Sequence, residues 1–289
     1  MLRRFRNILR FCTPYGIVEG RRRTRASPLK TSDRERFHAR RHELIAATAP
    51  AAAFNCIDFE YERAVTYLVG RGLNEHHVRE GSIPSASLKF VEARLLERYP
   101  TDQPLVALHI GNFVGISLAA LTSIVTSINP NSLVMAVDPN LPHRGISSPQ
   151  DHVMALLARV GLQRHVIPIV GYSLGKSVSN DGVNYDDMYD PAEGYVREFA
   201  CENVIENIEM VFGRCVDMAL VDGNHEASYL RSEIGAIGKV MRPGGVAILD
   251  DVDEAWVELK EVYTGLQVGG WLDLGTDGRV GLLQVPVSA

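Results

Sequence analysis

The 289-residue sequence contains little cysteine and no long apolar segment. Its four cysteines, Cys12, Cys56, Cys201 and Cys215, lie far apart without a CxxC pair, which indicates neither a zinc knuckle nor a disulfide framework. No apolar run approaches the roughly 18 residues of a membrane-spanning helix, and the N-terminus lacks the apolar core and the cleavage site of a signal peptide. We therefore expect a cytoplasmic protein with reduced thiols.

Positive charge is scarce outside the first 41 residues. Residues 1–41 contain thirteen Lys or Arg against three acidic residues, a net charge of +10, so the rest of the chain carries −15 within an overall charge of −5. The acidic body, and the lack of aromatic residues interleaved as in a single-strand binding platform, argue against nucleic acid as a partner.

The basic arm begins with LRRFRNILRF, in which apolar residues recur at helical spacing between arginines. This pattern is typical of an amphipathic helix on an anionic membrane surface, and it predicts peripheral contact of residues 1–25 with the inner membrane face. Two alternatives remain open: the arm packs on the body or on a second subunit, or it is disordered. We also expect a homo-oligomer.

The N-terminal part of the chain divides into two predicted regions. Residues 1–32 indicate a basic arm and linker, because Gly20, Pro28 and two charge clusters interrupt any apolar period. Residues 33–103 predict a helical cap region, since their apolar residues recur every three or four positions. Its helices are expected near residues 34–48, 58–71 and 86–98.

Residues 104–289 alternate strand and helix. Five short runs rich in Val, Ile and Leu end in Gly or Asp, namely PLVALHI, SLVMAVD, HVIPIVG, VDMALVD and GGVAILDD. Continuous apolar strands indicate burial on both faces, hence a parallel sheet covered by helices, and GWLDLGTDGRVGLLQV predicts a final hairpin. We predict an α/β fold: a doubly wound, mainly parallel, seven-stranded Rossmann-like sheet with a terminal antiparallel hairpin and a lid insertion at about 174–212.

The first two strands end in residues suited to an adenosine-containing cofactor, which such sheets bind beyond the carboxyl ends of their strands. In HIGNFVGIS, Gly111 allows a tight turn and Gly115 lets the backbone approach a ligand. Asp138 ends the second strand, where an acid accepts hydrogen bonds from both ribose hydroxyls. The alternatives are a tight turn without a ligand and an ordinary Asp-Pro turn.

The fourth and fifth strands end in acids. Asp222 ends one strand, Asp250 and Asp251 end the next, and His225 follows three residues after Asp222. Neighbouring carboxylates repel one another unless a cation neutralises them, and a hard ion such as Mg²⁺ suits oxygen ligands. An imidazole beside that ion titrates near neutral pH and is a candidate general base. The alternative is that the acids only cap the following helices.

In their order along the chain, HIGNFVGIS, AVDPN, VDMALVDGNH, MRPGGVAILDD and the hairpin resemble a class I S-adenosylmethionine-dependent methyltransferase over about residues 104–285. More narrowly, they are similar to metal-dependent O-methyltransferases that modify sugars and macrolides. The resemblance implies S-adenosylmethionine at Gly111, Phe113, Gly115, Ser117, Asp138 and Ser173. It also implies Mg²⁺ or another divalent cation at Asp222, Asp250 and Asp251, and a catalytic base at His225.

One residue departs from the family pattern. His109 stands where the family has an acid that helps hold the cationic amino acid portion of the cofactor, so cofactor affinity is expected to fall unless another group compensates.

The activity that the resemblance implies is Mg-assisted O-methyl transfer to a vicinal diol of a sugar, glycan or glycosylated natural product, with a small molecule or glycan as the acceptor. An NAD-type dinucleotide-binding oxidoreductase is one alternative, although it needs a GxGxxG loop that the sequence lacks. A non-catalytic cofactor-binding protein of the same fold is the other, although it would tolerate loss of the acids and of His225, all of which are present.

Overall fold

Three helices precede the sheet in the computed structural model, which describes residues 57–99, 103–175 and 201–286. These helices are α1 (Ile57–Gly70), α2 (Glu75–Glu80) and α3 (Ser85–Arg98). Helices α1 and α3 lie where the apolar periodicity predicts them. The short α2 was not predicted; it begins after Asn74, whose side chain accepts hydrogen bonds from the backbone N–H groups of His76 and His77.

Several predicted features lie outside the described residues. They are the basic arm and linker of residues 1–32, the helix expected near 34–48 and most of the lid insertion. Of the lid, the structure describes the residues up to Gly175 and those from Cys201 onward.

Seven strands form one sheet in the order β3-β2-β1-β4-β5-β7-β6. The strands are β1 (Val106–Ile110), β2 (Leu133–Asp138), β3 (Val166–Val170), β4 (Val216–Val221), β5 (Met241–Leu249), β6 (Leu272–Thr276) and β7 (Gly281–Gln284). The first five pair in parallel, whereas β7 runs antiparallel to both β5 and β6. The prediction of a doubly wound, mainly parallel sheet with a terminal hairpin is therefore confirmed.

The remaining helices connect the strands: α4 (Ile116–Ile128), α5 (Pro149–Arg159), α6 (Val204–Phe212), α7 (Ala227–Val240) and α8 (Val257–Val268). Successive strand residues point to opposite faces of the sheet, so Ala107 joins the apolar cluster that includes α1, α3 and α4, while Leu108 joins the one that includes α6, α7 and α8. Burial on both faces explains the continuous apolar runs of β1, β2, β4 and the second half of β5. The prediction of burial on both faces is wrong for β3, which lies at the edge of the sheet and leaves Ile167 and Val170 exposed. None of the described helices combines the length and the apolar character needed to cross a membrane.

The register brings the carboxyl ends of the central strands to one edge of the sheet. Ile110 pairs with Val221, and Val221 with Leu249. The backbone continues this pattern past the strands, because the Asp222 N–H donates to the Ile110 carbonyl at 2.9 Å and the Asp250 N–H donates to the Val221 carbonyl at 3.1 Å. The residues after β1, β4 and β5 are therefore neighbours.

Candidate active site

The loop after β1 passes directly over the end of β4. Gly111 has φ +84°, and a Cβ there would lie 1.8 Å from the backbone oxygen of Asp222, so a side chain at this position would collide with the backbone of the neighbouring strand. Gly115 has φ +92° and precedes α4. The two predicted glycines therefore hold a tight turn between the end of β1 and the start of α4.

Asp138 fastens this loop to the end of β2. One carboxylate oxygen accepts the Asn112 N–H at 2.7 Å, and the other accepts the Asn140 N–H at 2.6 Å. Burial raises the pKa of Asp138, although these backbone donors oppose the shift. The backbone of Phe113 is a third donor to this carboxylate. Because a carboxylate has about four acceptor sites, the predicted contact with a ribose hydroxyl remains chemically open.

His109 lies under the same loop and is fully buried. Its Nδ1 lies 3.1 Å from Asn112 Oδ1, and its Nε2 lies 3.1 Å from Ser117 Oγ. Burial lowers the pKa of His109 to about 4, even though the bond to Asn112 acts in the opposite direction. The imidazole is therefore neutral near pH 7, so no carboxylate or imidazolium stands at this position.

Phe113, the remaining predicted residue of the loop, has φ +42°. Its ring meets the His143 ring edge-on, with centroids 5.3 Å apart. On its other side it packs against Gly81, where a Cβ would lie 2.6 Å from the ring. The helical region before the sheet thus supports the glycine loop.

Ser173, which follows β3, is buried and already engaged. Its Oγ forms hydrogen bonds with the Tyr229 hydroxyl, at 2.9 Å, and with the Glu233 carboxyl. Glu233 is fully buried, and burial raises its pKa to about 7. Neither of these α7 partners was predicted from the sequence. The available signal was a lone acid four residues after a tyrosine on the apolar face of a helix.

Asp222, His225 and Asp251 come together where β4 and β5 end. His225 Nε2 lies 3.6 Å from Asp222 Oδ1 and 3.4 Å from Asp251 Oδ2. One ligand atom from each residue lies within 4.8 Å of the other two, a spacing that could hold a metal ion. The Trp256 ring packs beside the imidazole, with centroids 4.8 Å apart.

Asp250 is the predicted ligand that does not join this group, because Arg279 binds it. Arg279 donates from Nε to Asp250 Oδ1 at 3.0 Å and from Nη2 to Oδ2 at 2.8 Å. The same Nη2 lies 3.4 Å from Asp251 Oδ1. Sequence reasoning missed this arginine; the signal was its place two residues before β7, the strand that pairs with β5.

Electrostatic coupling links the residues of the group. Burial raises the pKa of Asp222, and the nearby carboxylate of Asp250 raises it further. Burial by itself would lower the pKa of His225, but the carboxylates of Asp222, Asp251 and Asp250 outweigh burial and raise it. Negative charge is therefore concentrated around His225.

The comparisons with known proteins give the class of protein. A family model described as a methyltransferase domain (Methyltransf_24) matches residues 108–252, slightly more than half of the chain. The chain therefore belongs to this family of methyltransferase domains, and the prediction of a class I methyltransferase is confirmed. The match runs from β1 to just beyond Asp251, so it contains every predicted site residue.

Several solved structures are similar to this chain at low sequence identity. TomG, an O-methyltransferase from Streptomyces achromogenes involved in tomaymycin synthesis and solved with SAM, is 16% identical, with a TM-score of 0.49 over 78% of this chain and 89% of that one. An O-methyltransferase from Bacillus cereus in complex with SAH is 15% identical, with a TM-score of 0.47 over 78% and 88%. SAH-bound PaMTH1 from Podospora anserina is 12% identical, with a TM-score of 0.47 over 90% and 97%. The comparison with curated proteins gives no match.

Proposed function

We propose that this protein transfers the methyl group of S-adenosylmethionine to a hydroxyl oxygen, assisted by a divalent cation such as Mg²⁺. The observation that carries the proposal is the order of groups along one edge of the sheet. Ser173 follows β3, Asp138 ends β2, the glycine loop follows β1, and Asp222 and Asp251 follow β4 and β5. This order matches a ligand laid out as adenine, ribose, sulfonium centre and acceptor.

The residues around the glycine loop fit the cofactor. Gly111 and Gly115 have positive φ and let the chain turn tightly after β1, and the Asp138 carboxylate keeps acceptor capacity for a ribose hydroxyl. When bound, the cofactor supplies an electrophilic methyl group on a sulfonium. The chain's part is to align an acceptor oxygen with that methyl group and to remove its proton.

The donor set at the ends of β4 and β5 fits a divalent cation. Asp222 and Asp251 offer carboxylate oxygens, the ligands that Mg²⁺ prefers. A bound cation would supply Lewis acidity that lowers the pKa of two adjacent hydroxyls. Arg279 binds Asp250 beside these ligands. We assign Asp250 to holding Arg279 in place, where its positive charge offsets part of the negative charge of the site.

His225 is the proposed general base. Its Nε2 faces the proposed cation ligands, 3.6 Å from Asp222 Oδ1 and 3.4 Å from Asp251 Oδ2. That position places the atom to take the proton of an acceptor hydroxyl bound at the same site. The Trp256 ring packs against the imidazole, while 39% of the Trp256 surface stays exposed.

The proposed acceptor is a vicinal diol on a sugar, glycan or glycosylated natural product. The resemblance to sugar-modifying enzymes supports this class, and the half-exposed indole offers a flat apolar face to a ring. Because the chain belongs to a methyltransferase family, we do not propose an NAD-type oxidoreductase. Membrane contact through residues 1–25 and homo-oligomer formation stay predictions.

Calorimetric titration tests whether the protein binds S-adenosylmethionine. The titration is done with and without Mg²⁺, and NAD is the control. Saturable binding of the sulfonium nucleoside and none of NAD is expected. Absence of binding under every condition would refute a methyltransferase and leave a non-catalytic member of the fold.

His225→Ala tests the base. We expect methyl transfer to catechol or methyl glycosides to fall by about 100-fold or more, while cofactor binding is retained because His225 lies outside the glycine loop. His76→Ala, at an exposed histidine of α2, is the matched control. Undiminished transfer by His225→Ala would remove the base assignment.

A metal measurement needs no acceptor. Titration with Mn²⁺, followed by electron paramagnetic resonance, should show binding that Asp251→Asn weakens about tenfold or more, since a carboxylate ligand is lost. Equal binding by wild type and Asp251→Asn would show that the cation does not bind here.

A further inference from the structure

A buried chain of three polar side chains lies beneath the glycine loop. His109, Asn112 and Ser117 are exposed by only 0%, 2% and 5%, and the imidazole links the other two at 3.1 Å on each side. Asn112 Nδ2 is buried and has no hydrogen-bond partner in the described part of the chain. A buried donor without a partner is costly, which points to a ligand that completes it.

The chemistry of the three groups sets the direction of the chain. Asn112 Oδ1 is only an acceptor, so His109 Nδ1 must carry the proton and donate it. In a neutral imidazole Nε2 then has only a lone pair, so it accepts the Ser117 hydroxyl proton. Ser117 Oγ is left with lone pairs alone for any further partner.

The position of the loop identifies which part of the cofactor faces it. Ribose at Asp138 lies at the end of β2, and the reacting groups lie at the ends of β4 and β5. β1 stands between β2 and β4. The sulfonium and the amino acid portion attached to it therefore lie over the end of β1, where Asn112 and Ser117 are.

We propose that His109 is a positioning residue for the amino acid end of S-adenosylmethionine. By accepting the Ser117 proton, it makes Ser117 Oγ an acceptor for the cofactor's ammonium group. By binding Asn112 Oδ1, it leaves Asn112 Nδ2 as a donor for the cofactor's carboxylate, beside the N–H groups that begin α4. A neutral relay thus does the work of the acid that the family carries at this position; the inference rests on the proposed function.

The tautomer of His109 tests the relay without any ligand. Long-range ¹H–¹⁵N spectra of the full-length protein labelled in histidine, with His109 assigned by its loss in His109→Gln, should show the Nδ1–H form near pH 7. The Nε2–H form would mean that Ser117 accepts rather than donates and that Asn112 donates, which overturns the inference. A purely structural role for His109 does not require either tautomer.

Comparing the affinities of two ligands shows how much the amino acid end of the cofactor contributes to binding. S-Adenosylhomocysteine carries it, whereas 5′-methylthioadenosine has the same adenine and ribose without it. We expect His109→Leu and Ser117→Ala to weaken S-adenosylhomocysteine about tenfold, as one hydrogen bond to a charged group requires, and methylthioadenosine by less than about twofold. If His109→Leu does not fold, Ser117→Ala alone still tests the proposal.

His165→Leu is the matched control. His165 is also buried, but it precedes β3 and so lies at the amino ends of the strands, away from the glycine loop. It should leave both affinities unchanged. Equal loss of both ligands in His109→Leu and Ser117→Ala would overturn the assignment to the amino acid end alone. Failure of the wild type to bind either ligand would overturn the proposed function and this inference together.

Discussion

The buried carboxyl of Glu233 makes the stability of the fold depend on pH, and Glu233→Gln isolates that dependence. Glu233 lies on α7 with 0% exposure. One of its oxygens binds Ser173 Oγ, and the other has no hydrogen-bond partner among the described residues. Burial moves its pKa from 4.5 to about 7, so the folded protein keeps a proton that the unfolded chain releases.

The magnitude follows from linkage. Between pH 4.5 and about 7 the folded state binds more protons at Glu233 than the unfolded state, so the free energy of unfolding falls as pH rises. At about 1.4 kcal/mol per pH unit, the loss totals about 3 kcal/mol above pH 7. Glutamine has the same shape, stays neutral at every pH and can still bond to Ser173 Oγ, so the variant does not incur this loss.

Urea denaturation of wild type and Glu233→Gln at pH 5 and pH 8 measures the effect. Because part of the loss has already occurred at pH 5, the free energy of unfolding of the variant should rise relative to wild type by about 2 to 3 kcal/mol between the two pH values. Glu261→Gln, at an exposed position of α8, is the control. Its free energy of unfolding relative to wild type should be the same at both pH values. A constant difference between Glu233→Gln and wild type at both pH values would show that Glu233 titrates normally.

Two further substitutions test the packing of the site. Arg279→Gln leaves the buried Asp250 carboxylate unpaired and should lower the free energy of unfolding by about 3 kcal/mol; chemical denaturation should show most of that loss restored in the double variant with Asp250→Asn. Gly111→Ala places a Cβ 1.8 Å from the Asp222 backbone oxygen and should abolish calorimetric S-adenosylhomocysteine binding. Gly145→Ala, which has φ +78° but open space, should retain it; equal binding by both variants would contradict the collision.

Local patterns in the sequence determined the fold class and the edge on which the site lies. Each central strand is a short apolar run because both of its faces are buried, and each ends at a Gly or Asp because the chain must turn there. Asp138, Asp222 and Asp251 could therefore be placed from the chain order alone. The terminal hairpin could also be predicted from the sequence, since its turn residues lie between two apolar runs.

Only the tertiary structure decided which side chains meet. Arg279 reaches Asp250 because β7 pairs with β5, and Glu233 reaches Ser173 across 60 residues of sequence. The neutral state of His109 likewise comes from burial beneath the glycine loop, which the residue type does not reveal. Periodicity determines which face of an element is buried, whereas contacts between polar side chains depend on register, rotamer and desolvation, and these exist only once the chain has folded.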